Sequence, residues 1–181
     1  MEYAVLGWPD DGPKLRLDYE RFSYAGKFVM SNTGKAVARA SRPEERPSVD
    51  FGDESVVAAT AFNVDRTDDG TVWIRYVTVH ADRRGEGIGS ELARFTTERV
   101  HDRGFSRVKI AVNNPYAYQA LYRAGFGFTG EETGLAELVL KHPKPDEERY
   151  QDGLNHYRER DLSPGEEAFL ATKENERPPR G

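Results

Sequence analysis

Apolar and polar positions along the chain predict a strand-rich first half, then strands alternating with helices. Residues 1–14 are rich in Gly, Pro and Asp and are expected to form an irregular lead-in. Leu15-Arg16-Leu17-Asp18-Tyr19 alternates with the period of a half-buried strand. Lys27-Phe28-Val29-Met30 and Lys35-Ala36-Val37-Ala38 flank Ser31-Asn32-Thr33-Gly34, the pattern of a hairpin around a glycine turn. Residues 40–53 are polar and carry prolines, so they read as a loop. Residues 55–63 and 71–80 are strand-like, and the DRTDDG segment between them supplies turn chemistry.

The second half changes period. Ile88, Leu92, Phe95 and Val100 recur at near-helical spacing, with Gly104 where a helix C-cap belongs. Val108, Ile110 and Val112 alternate as a strand. Asn114-Pro115 suits an N-cap and first helical residue, and Gly125 suits the end of that helix. Residues 135–141 read as a last strand. Beyond them the chain is highly charged, yet Tyr150, Leu154 and Tyr157 form one stripe of a helix, and Ser163-Pro164 signals another. Two helices interrupting the strands favour a mixed α/β (α+β) architecture over an all-β barrel.

Composition narrows the function classes. The net charge of −5 argues against general nucleic-acid binding, which needs a basic field. No apolar run approaches the roughly 20 residues that span a bilayer. The N-terminal residues lack the basic start and apolar core of a signal peptide. The absence of cysteine removes disulfides, thiolate metal sites and a catalytic thiol. His80, His101, His142 and His156 share no metal-like spacing. The expectation is a cytoplasmic protein with no metal, no membrane and no nucleic-acid partner.

The candidate chemistry sits at residues 83–89, RRGEGIG, between a strand and a helix. Glycines allow positive φ and close approach of a ligand to the backbone. The helix start adds unpaired N–H groups and the positive end of a dipole. Together they form an anion site suited to a pyrophosphate, with Arg83 and Arg84 at its mouth. A Walker A loop would need a lysine before Ser90. A dinucleotide loop would need G-x-G-x-x-G and an acid ending the next strand, and Val112-Asn113-Asn114 provides none. A plain glycine turn between strand and helix is the remaining simple reading.

Arg84-x-x-Gly87-x-Gly89 resembles the R/Q-x-x-G-x-G/A motif of the GNAT superfamily of acetyl-CoA-dependent N-acetyltransferases. VTVHADRRGEGIGSELARF resembles that family's strand–loop–helix core, and NNPYAYQALYRAGFGFTG its second signature. The resemblance covers residues 72–140. It implies a mixed, mostly antiparallel central sheet flanked by helices over residues 1–141. Residues 142–181 would be a charged, partly helical C-terminal arm. It further implies acetyl transfer to the primary amine of a small molecule or peptide.

By the same resemblance, Val77, Thr78 and Val79 would pair with the pantetheine arm of acetyl-CoA, the Val79 amide polarising the thioester carbonyl. Arg84, Gly85, Gly87, Gly89 and Ser90 would surround the pyrophosphate. Asn114 would contact pantetheine or simply cap its helix. Tyr122 would protonate the departing thiolate, although the family places this tyrosine four residues before Gly-Phe, where Leu121 stands. Otherwise Tyr122, or Tyr118 one turn earlier, is a core or cleft aromatic. No carboxylate lies in Trp73-Ile74-Arg75-Tyr76, so the base is His80, Glu54, an acid of residues 65–69, or solvent. Asp50, Asp53 and Glu54 would attract a cationic amine or form a solvated face, and Tyr116 and Tyr118 would line a cleft or fill a core. A non-catalytic acyl-CoA-binding module is the alternative function. Exposed strand edges or the segment 146–160 offer surfaces for a homodimer.

Overall fold

The computed structural model describes residues 1–40 and 54–180, so the loop expected at 40–53, with Asp50 and Asp53, lies almost wholly outside the described residues. The fold is mixed α/β, with seven mostly antiparallel strands and four α-helices among the described residues. The chain divides into two compact units at Val108/Lys109.

The first unit holds β1 (Glu2–Gly7), β2 (Gly34–Arg39), β3 (Val56–Val64) and β4 (Thr71–Val79), adjacent in that order and antiparallel, with α1 (Ile88–Asp102). Ala36, Val37, Ala38, Ala58, Ala59 and Ala61 are fully buried, because β2 and β3 are interior strands covered on both faces. α1 buries Ile88, Leu92, Ala93 and Val100 on one stripe and leaves its charged face to solvent.

Three expectations are corrected in this unit. The lead-in contains β1, since Glu2-Tyr3-Ala4-Val5 and Gly7 pair with β2. Residues 15–19 form no strand. Leu15 is buried and Arg16 exposed, as the alternation requires, but burial does not supply a ladder partner. The hairpin arm at 27–30 is absent too. Ala25–Lys27 is a 3-10 turn, and β2 pairs instead with β1 and β3.

A buried lysine explains that rearrangement. Lys35 Nζ donates to the carbonyls of Pro13 (2.7 Å), Met30 (2.7 Å) and Thr33 (2.8 Å) and to Thr33 Oγ1 (2.7 Å). Its side chain gathers two loop segments around the start of β2. Burial pushes its pKa down to about 8, while four surrounding oxygens favour the charged ammonium.

The second unit holds most of β5 (Arg107–Val112), then α2 (Pro115–Arg123), β6 (Gly127–Glu132), β7 (Leu138–His142), α3 (Tyr150–Arg158) and α4 (Pro164–Thr172). Strand β7 lies between β5 and β6 and pairs antiparallel with β6. The sequence pattern missed β6 and began β7 too early, because Leu135 belongs to the turn and is 86% exposed. The predicted stripe Tyr150, Leu154 and Tyr157 is buried along α3. A capping box between Ser163 and Glu166 starts α4.

Candidate functional site

The glycine loop grows out of β4. His80 follows the strand and caps a 3-10 turn at Ala81–Arg83. Its Nδ1 accepts the Asp82 N–H at 3.1 Å, and its own N–H donates to the Val57 carbonyl at 2.8 Å. The Phe22 ring meets the imidazole edge-on at 5.3 Å. These contacts use His80 to anchor the loop.

Gly85 and Gly87 then take φ of +86° and +82°, where an L side chain is strained. A Cβ added at either would meet nothing within 4 Å, so the backbone conformation rather than packing calls for glycine. Gly89 has a different reason. Its Cβ would lie 3.2 Å from Val79 Cγ2, so glycine lets α1 sit close on β4. Glu91 N–H to the Gly87 carbonyl, at 3.1 Å, is the first helical bond, and the amides ahead of it have no acceptor inside α1.

The charge at this helix start comes from Arg84. Arg83 Nε is tied to Glu86 Oε2 at 2.7 Å, which neutralises it. Arg84 Nη2 donates to Ser23 Oγ at 3.1 Å, and no carboxylate among the described residues pairs with it. An open glycine turn, a helix start and a guanidinium with no carboxylate partner among the described residues are the groups that could hold an anion such as a pyrophosphate. On β4, Val77, Thr78 and Val79 stand opposite Thr60, Ala59 and Ala58 of β3. Thr78 Oγ1 is buried without a partner among the described residues. Val77 to Val79, Arg84, Gly85, Gly87, Gly89 and half-buried Ser90 thus share one strand–turn–helix segment of the first unit.

Asn114 and Tyr122 belong to the second unit. Asn114 accepts the Ala117 N–H at 2.9 Å and caps α2. Gly125 ends the helix with φ +99°, its N–H on the Tyr122 carbonyl at 3.1 Å. The Tyr122 hydroxyl accepts the Phe128 N–H at 2.9 Å and donates to Glu148 Oε1 at 3.2 Å. Its ring is fully buried against Tyr118 and Tyr150. Burial pushes its pKa up to about 12, Glu148 adding to the shift and the Tyr118 and Phe128 bonds opposing it. Tyr118 is also fully buried, and Tyr116 meets the Phe169 ring at a 49° tilt, centroids 4.7 Å apart.

Two of the acids weighed as bases, Asp65 and Asp68, are committed elsewhere. Asp65 accepts from Trp73 Nε1 (2.6 Å) and the Thr67 and Asp68 amides, and these bonds hold its carboxyl well below the usual range. Asp68 is lowered by bonds from Thr71 and Arg107 and from the Gly70 amide. Both fix the β3–β4 turn, and a carboxylate held this way is a poor proton acceptor. Glu54 is exposed. Among the described residues no three His, Asp or Glu side chains group as a metal site, and no helix is long and apolar enough to cross a membrane.

One feature escaped the sequence pattern. A cavity of about 530 Å³ in the first unit is lined by Lys27, Arg66 and Arg75 with Asn32, Asn63 and Tyr76, among others. Its cations come from three separate segments, so no local motif announces it.

No curated protein matches the sequence. Among solved structures, nourseothricin acetyltransferase is 19% identical, with 80% of this chain and 98% of that chain covered at a TM-score of 0.51. An IAA acetyltransferase from Bacillus cereus ATCC 14579 is 18% identical over 77% of this chain and 98% of that chain, with a TM-score of 0.49. PaiA N-acetyltransferase from Thermoplasma acidophilum, solved in complex with coenzyme A, is 13% identical over 59% and 58%, with a TM-score of 0.44. The likeness to nourseothricin acetyltransferase is one of fold. The model of the Acetyltransferase (GNAT) family matches residues 6–128, well over half of the sequence, and the chain belongs to that family.

Proposed function

We propose that the protein is an N-acetyltransferase that moves an acetyl group from acetyl-CoA to a primary amine, of a small molecule or a peptide, by direct attack in a ternary complex. The observation that carries this reading is the left-handed Gly85–Gly87 turn, opening onto the start of α1 beside Arg84, which pairs with no carboxylate among the described residues. In this reading Arg84, Gly85, Gly87, Gly89 and Ser90 hold the pyrophosphate. Backbone groups of Val77, Thr78 and Val79 align the pantetheine. The Val79 N–H stabilises negative charge developing on the carbonyl oxygen. For Asn114, weighed as a pantetheine contact or a plain cap, the bond from the Ala117 N–H favours the cap on α2.

Acetyl-CoA supplies the activated thioester. The amine nitrogen forms the new C–N bond as the C–S bond breaks, the thiolate takes up a proton, and the amine releases one to solvent. As an acid, Tyr122 would give the thiolate its proton, and removing that step would lower kcat by about 100-fold or more. As a packing residue, it holds the end of α2 against β6 and α3. The hydroxyl's burial and its bonds to Glu148 and the Phe128 amide favour the packing role. For Tyr122→Phe the expected outcome is kcat within a few-fold of wild type, with stability lowered by about 1–3 kcal/mol because the Phe128 N–H loses its acceptor. A hundredfold loss of kcat with unchanged stability would restore the acid.

Amine-dependent thiol release from acetyl-CoA, measured across a panel of amines, tests transfer itself. CoA binding without turnover on any amine would favour a binding module. Calorimetry in which ATP or NAD binds and CoA does not would overturn the donor assignment.

A further inference from the structure

The cavity on the first unit gathers three cations in a chain whose net charge is −5. None of its lining residues is acidic, and Lys27, Arg66 and Arg75 make no ion pair among the described residues. Like charges held together repel, Asp65 offsets only part of this at Arg75, and a bound anion relieves the rest. We propose that this cavity is the acceptor pocket and that it takes a small amine bearing a carboxylate or phosphate group. The inference rests on the acetyl-transfer reading and adds the chemistry of the acceptor.

The local structure prepares the site. Ala61 faces Tyr76 and Phe62 faces Ile74 across β3 and β4, so Arg75 is the extra residue of a β-bulge. The bulge explains how consecutive Arg75 and Tyr76 both line one cavity. Arg75 Nε donates to Asn63 Oδ1 at 2.7 Å, and its guanidinium lies 5.1 Å from the Trp73 ring centre. This posture leaves the terminal nitrogens for a ligand, in the fork geometry that suits an oxyanion. Burial pushes the Arg75 pKa down, with Asp65 opposing and Arg66 adding to it. Lys27 Nζ stands 5.9 Å from the Tyr76 ring centre. Met30 and Thr33, which also line the cavity, have their carbonyls held by Lys35.

Size and position agree with this use. A volume of about 530 Å³ falls within the range of about 300–1,000 Å³ typical of small-molecule sites. Arg75 and Tyr76 directly precede Val77 to Val79 on β4. At about 3.3 Å per residue, Tyr76 and Val79 are about 10 Å apart along the strand. An acceptor anchored by its anion can extend its amine along that length toward the donor segment.

The test uses matched acceptors with saturating acetyl-CoA, phosphoethanolamine against ethanolamine and β-alanine against its amide. The anionic member of at least one pair should have the higher kcat/KM by about tenfold or more, the scale of one charge-assisted hydrogen bond. Which pair responds separates phosphate from carboxylate. Arg66→Gln and Arg75→Gln should each lower that preference by about tenfold, and exposed Arg66 can be replaced without disturbing the fold. A second arm titrates inorganic phosphate and glutarate into the CoA-saturated protein by calorimetry. Binding should be lost in the R66Q/R75Q double variant and kept in Arg84→Gln. Equal use of charged and neutral acceptors, turnover of acidic peptides only, or anion binding indifferent to Arg66 and Arg75 would overturn the proposal. Anion binding that depends on these arginines, with no amine acetylated, would leave the anion site standing and overturn acetyl transfer instead.

Discussion

Gly153 stands in the middle of α3, where alanine would ordinarily add about 1 kcal/mol of helix stability. A Cβ there would overlap the Tyr118 hydroxyl, which donates to the Tyr150 carbonyl at 2.9 Å. Gly153→Ala should therefore destabilise by about 1–3 kcal/mol in urea unfolding, the cost of overpacking. A stabilised variant would contradict the packing described. Lys35 makes a parallel case. Lys35→Met leaves the Pro13, Met30 and Thr33 carbonyls without their donor, at about 1–3 kcal/mol for each that stays buried. At about 2–4 °C per kcal/mol, a drop in Tm of several degrees is expected, and an unchanged Tm would show that the cage contributes nothing. Neither residue was legible in the sequence. Gly153 reads as a weak helix position and Lys35 as the polar start of a strand, because their partners lie 35 residues away or on separate loops. Asn114 was legible as a cap, since a cap is decided by neighbours within one turn.

At the scale of elements, the strand–turn–helix around Gly87 was legible because its requirements are local. Positive φ, a helix start and close approach to Val79 all act within about ten residues. The first 40 residues were harder to read. Their alternation at 15–19 describes burial, while strand identity depends on a distant partner, and β2 chose β1 and β3. Gly87→Ala forces a left-handed alanine, at about 1–2 kcal/mol. If the turn is formed in the bound state, affinity for CoA should fall by about 5- to 30-fold in titration calorimetry, with kcat for saturating substrate little changed. Unaltered CoA affinity would remove the loop from the donor site. Arg84→Gln should weaken CoA more than Arg83→Gln does, since Glu86 already neutralises Arg83.

At the scale of the whole molecule, pH reports on the tyrosine cluster of the second unit. Burial raises the pKa of Tyr118, Tyr122, Tyr150 and Tyr157. In the unfolded chain these phenols ionise near pH 10. Below that pH both states hold the protons, and the cluster's contribution is constant. Above it the unfolded state loses protons that the folded state keeps, so stability falls as pH rises from about 10 through 12. Phenolate absorbance should show the exposed tyrosines titrating first and the cluster ionising only with unfolding. A single reversible titration of all nine tyrosines near pH 10, with the fold intact, would contradict the burial.

The central claim is that this chain carries an acetyl group from CoA to an amine. It is tested most directly by incubating the protein with acetyl-CoA and a panel of charged and neutral primary amines, counting released thiol against acetylated amine by mass spectrometry. The predicted result is thiol release that requires an amine and matches its acetylation one for one. Thiol release indifferent to every amine, or none at all from a protein saturated with acetyl-CoA, would contradict it.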